Sequence, residues 1–271
     1  MCEENCVKVP SIFDLHVHTS KGSPDSGLSA EEMVEEGLRI GLTGAMATEH
    51  NGWEKNDFVN FSAQSKLHLV NALEVYTPMG HVIALGIEQH VSGFAGGVEA
   101  VRELRRIVDS VGGFLIIAHP FRFLFDPPGL YTQNKLFEDP ADLPITPERA
   151  AEHPIFELVH EIEVVNGGNL ESENRFTQEV VKILGRSGTG GSDCHSTAGM
   201  GKGSTLFRGD VRTHAELLEA LHSGEFVPLG EFHVGKPSLY GEASWLDREA
   251  LAKGGLDLAD LKPWNGEWLT E

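Results

Sequence analysis

Six short stretches of this chain carry side chains of the kind that bind cations. They are "FDLHVHTS" with His16 and His18, "ATEH" with His50, "NALEV" with Glu74, "GHVIALG" opening on His81, "LIIAHP" with His119, and "GGSDCHS" with Asp193 and His195. Period-2 geometry sets His16 and His18 on one face of a strand. A lone His-x-His is read more simply as two satisfied polar residues, since strands often carry them. The recurrence changes that reading, because nearly every apolar β-like run meets a His, Asp or Glu at or near its end. Imidazole and carboxylate without thiolate suit Zn²⁺, Mn²⁺ or Fe²⁺. Two or three such ions sharing a bridging carboxylate suit hydrolysis of a phosphate ester.

The elements that would position these residues follow from hydrophobic periodicity. Eight β-like runs are read: "SIFDLHVH", "LTGAMATEH", "KLHLVNALEVY", "HVIALGI", "GGFLIIAHP", "EIEVVNG", "GTGGSDCH" and "EFVPLG". Helical spacing lies between several of them, in "SAEEMVEEGLRIG", "VEAVRELRRIVDSVGG", "ESENRFTQEVVKILGR" and "RTHAELLEALHSG". The first of these opens on a Ser29/Glu32 capping box and stops at Gly41. Such βα alternation predicts an α/β chain with parallel strands closing into a barrel, its chemistry at the strands' C-terminal ends. Residues 11–230 form the expected barrel domain, after an N-terminal extension of residues 1–10. Residues 120–150 read as a Pro-rich insertion acting as a lid or binding loop. Residues 231–271, with Trp245, Trp264 and Trp268, read as an arm packed on the barrel or at a subunit contact.

Bulk composition excludes several roles. With 40% hydrophobic and 23% charged residues, the chain has the make-up of a soluble globular protein. A net charge of −20 repels polyanions, which disfavours tracking along long nucleic acid, while a small phosphorylated substrate remains compatible if bound cations reverse the potential locally. No run is apolar enough for a membrane span, and "MCEENCVKVPSIF" has neither the basic nor the apolar region of a secretory signal. Three cysteines, at positions 2, 6 and 194, form no disulfide framework and fit a reducing cytoplasm. Cys2 and Cys6 lack a second Cys/His pair at finger-like spacing, so they read as part of a frayed terminus.

With these residues in view, the sequence resembles the PHP family, named for polymerase and histidinol phosphatase. The resemblance rests on "DLHVHT", "AHPF" and "GSDCHS" and covers roughly residues 11–230. It implies a distorted (β/α)7 barrel with a metal site of two to three divalent ions at its mouth. Carried over position by position, His16, His18, Glu74 and Asp193 would hold a first ion. Glu74 would bridge to a second ion also bound by His81 and His119, and Asp25, His50 and His195 would hold the third. All nine positions carry competent side chains, which favours an active enzyme. One departure is Glu49, where the family commonly has Asp; strand alternation turns it away from the pocket, to support or packing.

The implied activity is that of a metal-dependent phosphoesterase, hydrolysing a phosphomonoester of a small metabolite or nucleotide by a metal-activated hydroxide. An exonuclease or oligonucleotide phosphatase is the runner-up, and a non-catalytic metal-binding regulatory module the third reading. His195, Asp193 and Glu74 are the expected catalytic residues, with His195 or a metal-bound water as the acid for the leaving group. Arg122, three residues after His119, is the expected phosphate contact through its planar fork, with Lys202 and Arg208 as weaker candidates. Cys194 is expected to face away from the site. Substrate identity and oligomeric state are not legible here.

Overall fold

The computed structural model describes residues 10–87, 90–125, 134–137, 146–241, 245–246 and 262–263. The terminal extension with Cys2 and Cys6, most of the expected insertion (126–133 and 138–145), Trp264 and Trp268 lie outside the described residues.

Strands and helices alternate from the start: β1 (Ser11–Val17), α1 (Ala30–Ile40), β2 (Gly44–Glu49), α2 (Lys55–Ser62), β3 (His68–Thr77), β4 (Gly80–Leu85), α3 (Val98–Ser110) and β5 (Phe114–Ile117). They continue as α4 (Pro147–Ala151), β6 (Glu161–Asn166), α5 (Glu171–Leu184), β7 (Thr189–Gly191), β8 (Gly203–Phe207), α6 (His214–Ser223), β9 (Phe226–Gly230), β10 (Ser238–Leu239) and β11 (Lys262–Pro263). The α1 signals work as read: Ser29 and Glu32 form a reciprocal capping box, and Gly41 closes the helix at φ 90°. Helix α2 was not legible from the periodicity, and it buries none of its side chains.

The chain is mixed α/β, built on one curled sheet in the order β11-β10-β9-β8-β1-β2-β3-β4-β5-β6-β7. The expectation of uniformly parallel strands is corrected at β4, which runs antiparallel to both β3 and β5. Only Pro78 and Met79 separate β3 from β4, too short a link for a crossover helix. The "GKGSTLF" stretch is also a strand: β8 pairs antiparallel with β1 and β9. At the far edge, β7 curls back to β1 through a bridge between Val17 and Cys194, with Asp193 N–H donating to the His16 carbonyl at 2.7 Å.

Every residue of β1 is buried, as expected of a strand covered on both faces. On β3 the alternation divides two cores. Leu73 and Val75 pack with Val101, Leu104 and Val108 of α3, whereas Val70 and Ala72 pack with Phe13, Leu15 and the α6 residues Leu217 and Leu221. Glu74 continues the second row at the far end of the strand. The apolar floor beneath Glu74 excludes water from its carboxylate, and this low-dielectric setting gives the site its strength. Trp245 is partly buried against the core around β1, to which Leu229 and Leu239 belong.

Candidate metal centre

His16 of β1 and His18 just past its end meet in one place, with their Nε2 atoms 3.0 Å apart. Their Nδ1 atoms are already engaged. His16 Nδ1–H donates to Glu163 Oε1 at 2.9 Å, and His18 Nδ1–H donates to Ser23 Oγ at 3.0 Å, whose hydroxyl donates on to Glu49 at 2.6 Å. These partners fix the tautomer that leaves each Nε2 lone pair facing the pocket. Two lone pairs at that separation repel unless a proton or a cation lies between them.

Glu74 is the hub. Its Oε1 lies 3.3 Å from His16 Nε2, 2.9 Å from His81 Nδ1 and 3.1 Å from His119 Nε2. Its Oε2 lies 3.3 Å from His18 Nε2 and 3.2 Å from His50 Nδ1. One buried carboxylate thus meets five imidazoles from four strands or their ends. His81 stands at the start of its strand yet reaches the same place, because β4 is reversed and its start lies beside the ends of its neighbours. Asp193 Oδ1 approaches His18 Nε2 at 3.3 Å and His16 Nε2 at 3.5 Å. Farther out, Asp25 Oδ2 lies 3.3 Å from His50 and 3.4 Å from His195, and His18 stacks on both rings at 4.4 and 4.6 Å.

Four triads of potential ligand atoms each lie within 4.8 Å: His16/His18/Glu74, Glu74/His81/His119, His16/His119/Asp193 and His18/His50/His195. Nitrogen and carboxylate donors at this density, with lone pairs lacking donors, fit divalent transition-metal ions. Two of these residues are held in unusual backbone: His119 has φ 30° and Asp193 φ 54°. Conformations of this kind persist only when their surroundings over-determine them. His119 N–H is pinned by Glu163 Oε2 at 2.8 Å, and Asp193 N–H by the His16 carbonyl. Close packing also explains the glycines of "TGGSD": a Cβ on Gly191 would lie 2.4 Å from the His16 Cβ.

The electrostatics call for positive charge. Burial alone would lower the His18 pKa, but hydrogen bonds to Asp193 and Glu74 push it up to about 9. Burial likewise opposes protonation of His16, and Glu163, Asp193 and Glu74 outweigh it. Burial would raise Glu74 and Asp193; the imidazoles around them, with Arg122 beside Asp193, instead hold both well below the carboxylate range. Two supporting acids go the other way. Burial pushes Glu49 up, and Asp14 up to about 6 against three backbone N–H donors, from His16, Ser192 and Gly201. A site that concentrates negative potential on unprotonated nitrogens is one that a proton or a metal ion fills.

Residues 171–226 match the family model described as PHP-associated. The resemblance to the PHP family holds. Among solved structures, PsfC from Pseudomonas syringae aligns with a TM-score of 0.52 at 16% identity, covering 78% of this chain and 89% of that one. At this identity the likeness shows the fold. A Bifidobacterium adolescentis protein designated a metal-dependent phosphoesterase aligns at 14% identity and TM-score 0.48, covering 78% and 95% of the two chains. An amidohydrolase from Chromobacterium violaceum aligns at 13% and 0.49, covering 77% and 96%. No curated protein matches the chain.

The structure therefore brings His16, His18, Asp25, His50, Glu74, His81, His119, Asp193 and His195 of the PHP pattern into one cluster. Arg122 joins it: its Nη2 donates to Asp193 Oδ2 and Asn166 Oδ1, both at 2.6 Å, and its Nε donates to Asn169 at 2.9 Å. Nη1 has no partner among the described residues. Arg208 is not brought there. It follows β8, whose end pairs with the start of β1, so it lies at the opposite end of the sheet and pairs with Glu225 at 2.6 Å. Lys202 sits in the turn before β8 with its carbonyl bonded to Glu231 N–H, and it does not line the cleft beside His119. Cys194 is buried with Val17 and Met200, away from the cluster. Glu49 supports rather than faces the pocket: Thr19 and Ser23 both donate to it, which ties down the turn that carries Asp25.

Sequence reading missed Glu163, which braces His16 and His119 and accepts from Asn166 Nδ2 at 2.9 Å. Its signal was a carboxylate inside the apolar run "EIEVVN", where an unpaired charge would be too costly to bury. The Asn166 and Asn169 clamp on Arg122 was missed too, since a "NGGN" loop reads as turn chemistry alone.

Proposed function

We propose that this chain is a metal-dependent hydrolase that cleaves a phosphomonoester of a small metabolite or nucleotide. The observation that carries the reading is Glu74, buried and within 3.3 Å of five imidazole nitrogens, with Asp193 opposite. His16, His18, Glu74 and Asp193 would hold one ion, Glu74, His81 and His119 a second, and Asp25, His50 and His195 a third. Zn, Mn or Fe are the ions this donor set suits. When bound, such ions supply Lewis-acid charge and a water acidic enough to deprotonate near neutral pH.

The chain's own residues account for the rest. Arg122 is held at Asp193 by Asn166 and Asn169, which leaves Nη1 to take a phosphoryl oxygen without reorganisation. Glu163 and Ser23 orient the His16 and His18 imidazoles. His195, 34% exposed and 3.4 Å from Asp25, is the most exposed imidazole of the set and the one placed to meet a leaving alkoxide. The domain that carries all this is residues 11–230, and among the described residues no helix is long and apolar enough to cross a membrane.

The test has two parts. Protein purified without chelator should contain two to three transition-metal ions per chain by elemental analysis. It should then release phosphate from members of a panel of sugar phosphates, nucleoside monophosphates and short oligonucleotides. Less than one ion per chain, without rescue by Mn²⁺ or Zn²⁺, removes the metal reading; full occupancy with no turnover removes the phosphoesterase reading.

A further inference from the structure

A cleft of about 240 Å³ opens directly from His81 and His119. Besides those two imidazoles its lining, among the described residues, includes Arg122, Asn134 and Lys135 together with Tyr76, Met79 and Phe123. The lining thus combines cationic and metal-binding groups with exposed apolar ones. The volume lies below the range of roughly 300–1,000 Å³ for drug-sized ligands, so it suits one ring with a short tether.

Two aromatic side chains in this wall lack the packing that would explain them. Tyr76 stands opposite His81 in the β3–β4 ladder, is 63% exposed, and among the described residues its one ring contact is with the His81 edge, at 5.6 Å. Phe123 is 39% exposed, belongs to none of the core clusters and makes no ring contact among the described residues. It is also held at φ 64°, a conformation that strains a bulky residue and costs glycine almost nothing. Its N–H is anchored by the Glu173 carboxylate, so the conformation is imposed from the start of α5. A strained, half-exposed ring next to Arg122 and His119 contributes little to the core, which leaves contact with a ligand as its physical rationale.

We propose that this cleft binds the leaving group of the substrate and that this group carries a flat, uncharged ring lying against Phe123 and Tyr76. The inference rests on the phosphomonoesterase reading for the position of the phosphoryl group, at Arg122 Nη1. An aromatic contact of this kind gives about tenfold in affinity.

Benzyl phosphate and butyl phosphate separate the ring from the chemistry, because both release a simple primary alcohol. With metal-loaded full-length protein, benzyl phosphate should show about tenfold higher kcat/KM, expressed in KM. Phe123→Gly relieves the positive φ, so melting temperature and metal content should hold or rise while the benzyl preference falls towards unity. Tyr76→Ala should reduce the same ratio. Equal values for the two esters, or a benzyl preference untouched by both substitutions, overturn the proposal. Calorimetric binding of benzylphosphonate against butylphosphonate gives a readout independent of turnover. Tighter benzylphosphonate binding that Phe123→Gly abolishes, with neither ester hydrolysed, would sustain the ring site and overturn only the phosphomonoesterase reading. Equal binding of the two phosphonates would overturn the ring site itself.

Discussion

The candidate centre has two halves that differ in burial and support. In the inner half, the side chains of His16, Glu74 and Glu163 are 0–1% exposed and Asp193 is 8% exposed. In the outer half, His50 is 28%, His195 34% and Asp25 56% exposed. The inner imidazoles are braced at Nδ1 and their neighbours at the backbone, whereas Asp25 meets its partners only at 3.3 and 3.4 Å. Inner ligands are thus pre-positioned in a low-dielectric pocket, and outer ligands compete with water. The difference teaches that ions in the two halves should differ in affinity, the one between His16, His18, Glu74 and Asp193 nearly permanent and the outer one exchangeable.

The strongest test removes an inner ligand. Asp193→Asn keeps a residue that tolerates φ 54° but withdraws a charge from His16, His18 and Arg122. Phosphate release should fall roughly 10³-fold or more, with inner ions lost by elemental analysis. Retention of full metal content and more than a tenth of the rate would break the division into halves. Next comes Glu163→Gln, which touches no ion itself. It should weaken metal affinity about 10–100-fold by chelator competition, since it loosens His16 and His119 together. An unchanged affinity would mean that burial, without bracing, sets the inner half apart.

Much of this division could be read in the sequence, and the exceptions have physical causes. Eight of the nine clustered residues were legible because strand ends collect at one mouth, so recurrence of His, Asp and Glu at those ends carried the information; Asp25, in the turn after β1, came only with the family resemblance. His81 was the test of that logic, and it joined the cluster only because β4 is reversed. Glu163 escaped notice because a mid-strand carboxylate has no motif; its role exists only across strands. Arg208 misled for the opposite reason, being near Asp193 in sequence while β8 carries it to the other end. The glycine-rich start of β8 was not among the β-like runs because glycine is depleted in strands, yet Gly203 is needed where β7 passes, a Cβ there lying 2.2 Å from the Gly191 carbonyl.

Smaller effects sharpen the comparison. Asp25→Ala should remove the single ion of the outer half, lower the rate about tenfold, and leave the inner metal and the melting temperature in place. Loss of all ions together would show that the halves bind cooperatively. The metal-free protein should also reveal the inner half through pH. The His18 pKa is raised to about 9 when folded, above its unfolded value, so its stabilising proton is fully present below about pH 6.5 and lost as pH rises through 9. Chelated protein should therefore lose up to about 3 kcal/mol of stability between those limits. Metal-loaded protein should show no such fall, because an ion takes the place of the proton. A flat melting profile for the chelated form would contradict the charge balance described for the inner half.

The smallest effect belongs to the residue between the halves. Cys194 separates Asp193 of the inner half from His195 of the outer, and its bridge to Val17 closes the sheet through backbone alone. Its side chain is 3% exposed among Val17, Leu28 and Met200, and burial pushes its thiol well above the usual range, so it holds no thiolate to offer an ion. Cys194→Ser should cost about 1 kcal/mol of stability for a buried hydroxyl, while rate and metal content change less than twofold. Loss of the outer ion alone would show that side-chain packing at this position, and not only the backbone bridge, sets where His195 stands. The two halves would then share a support at their seam instead of being built separately.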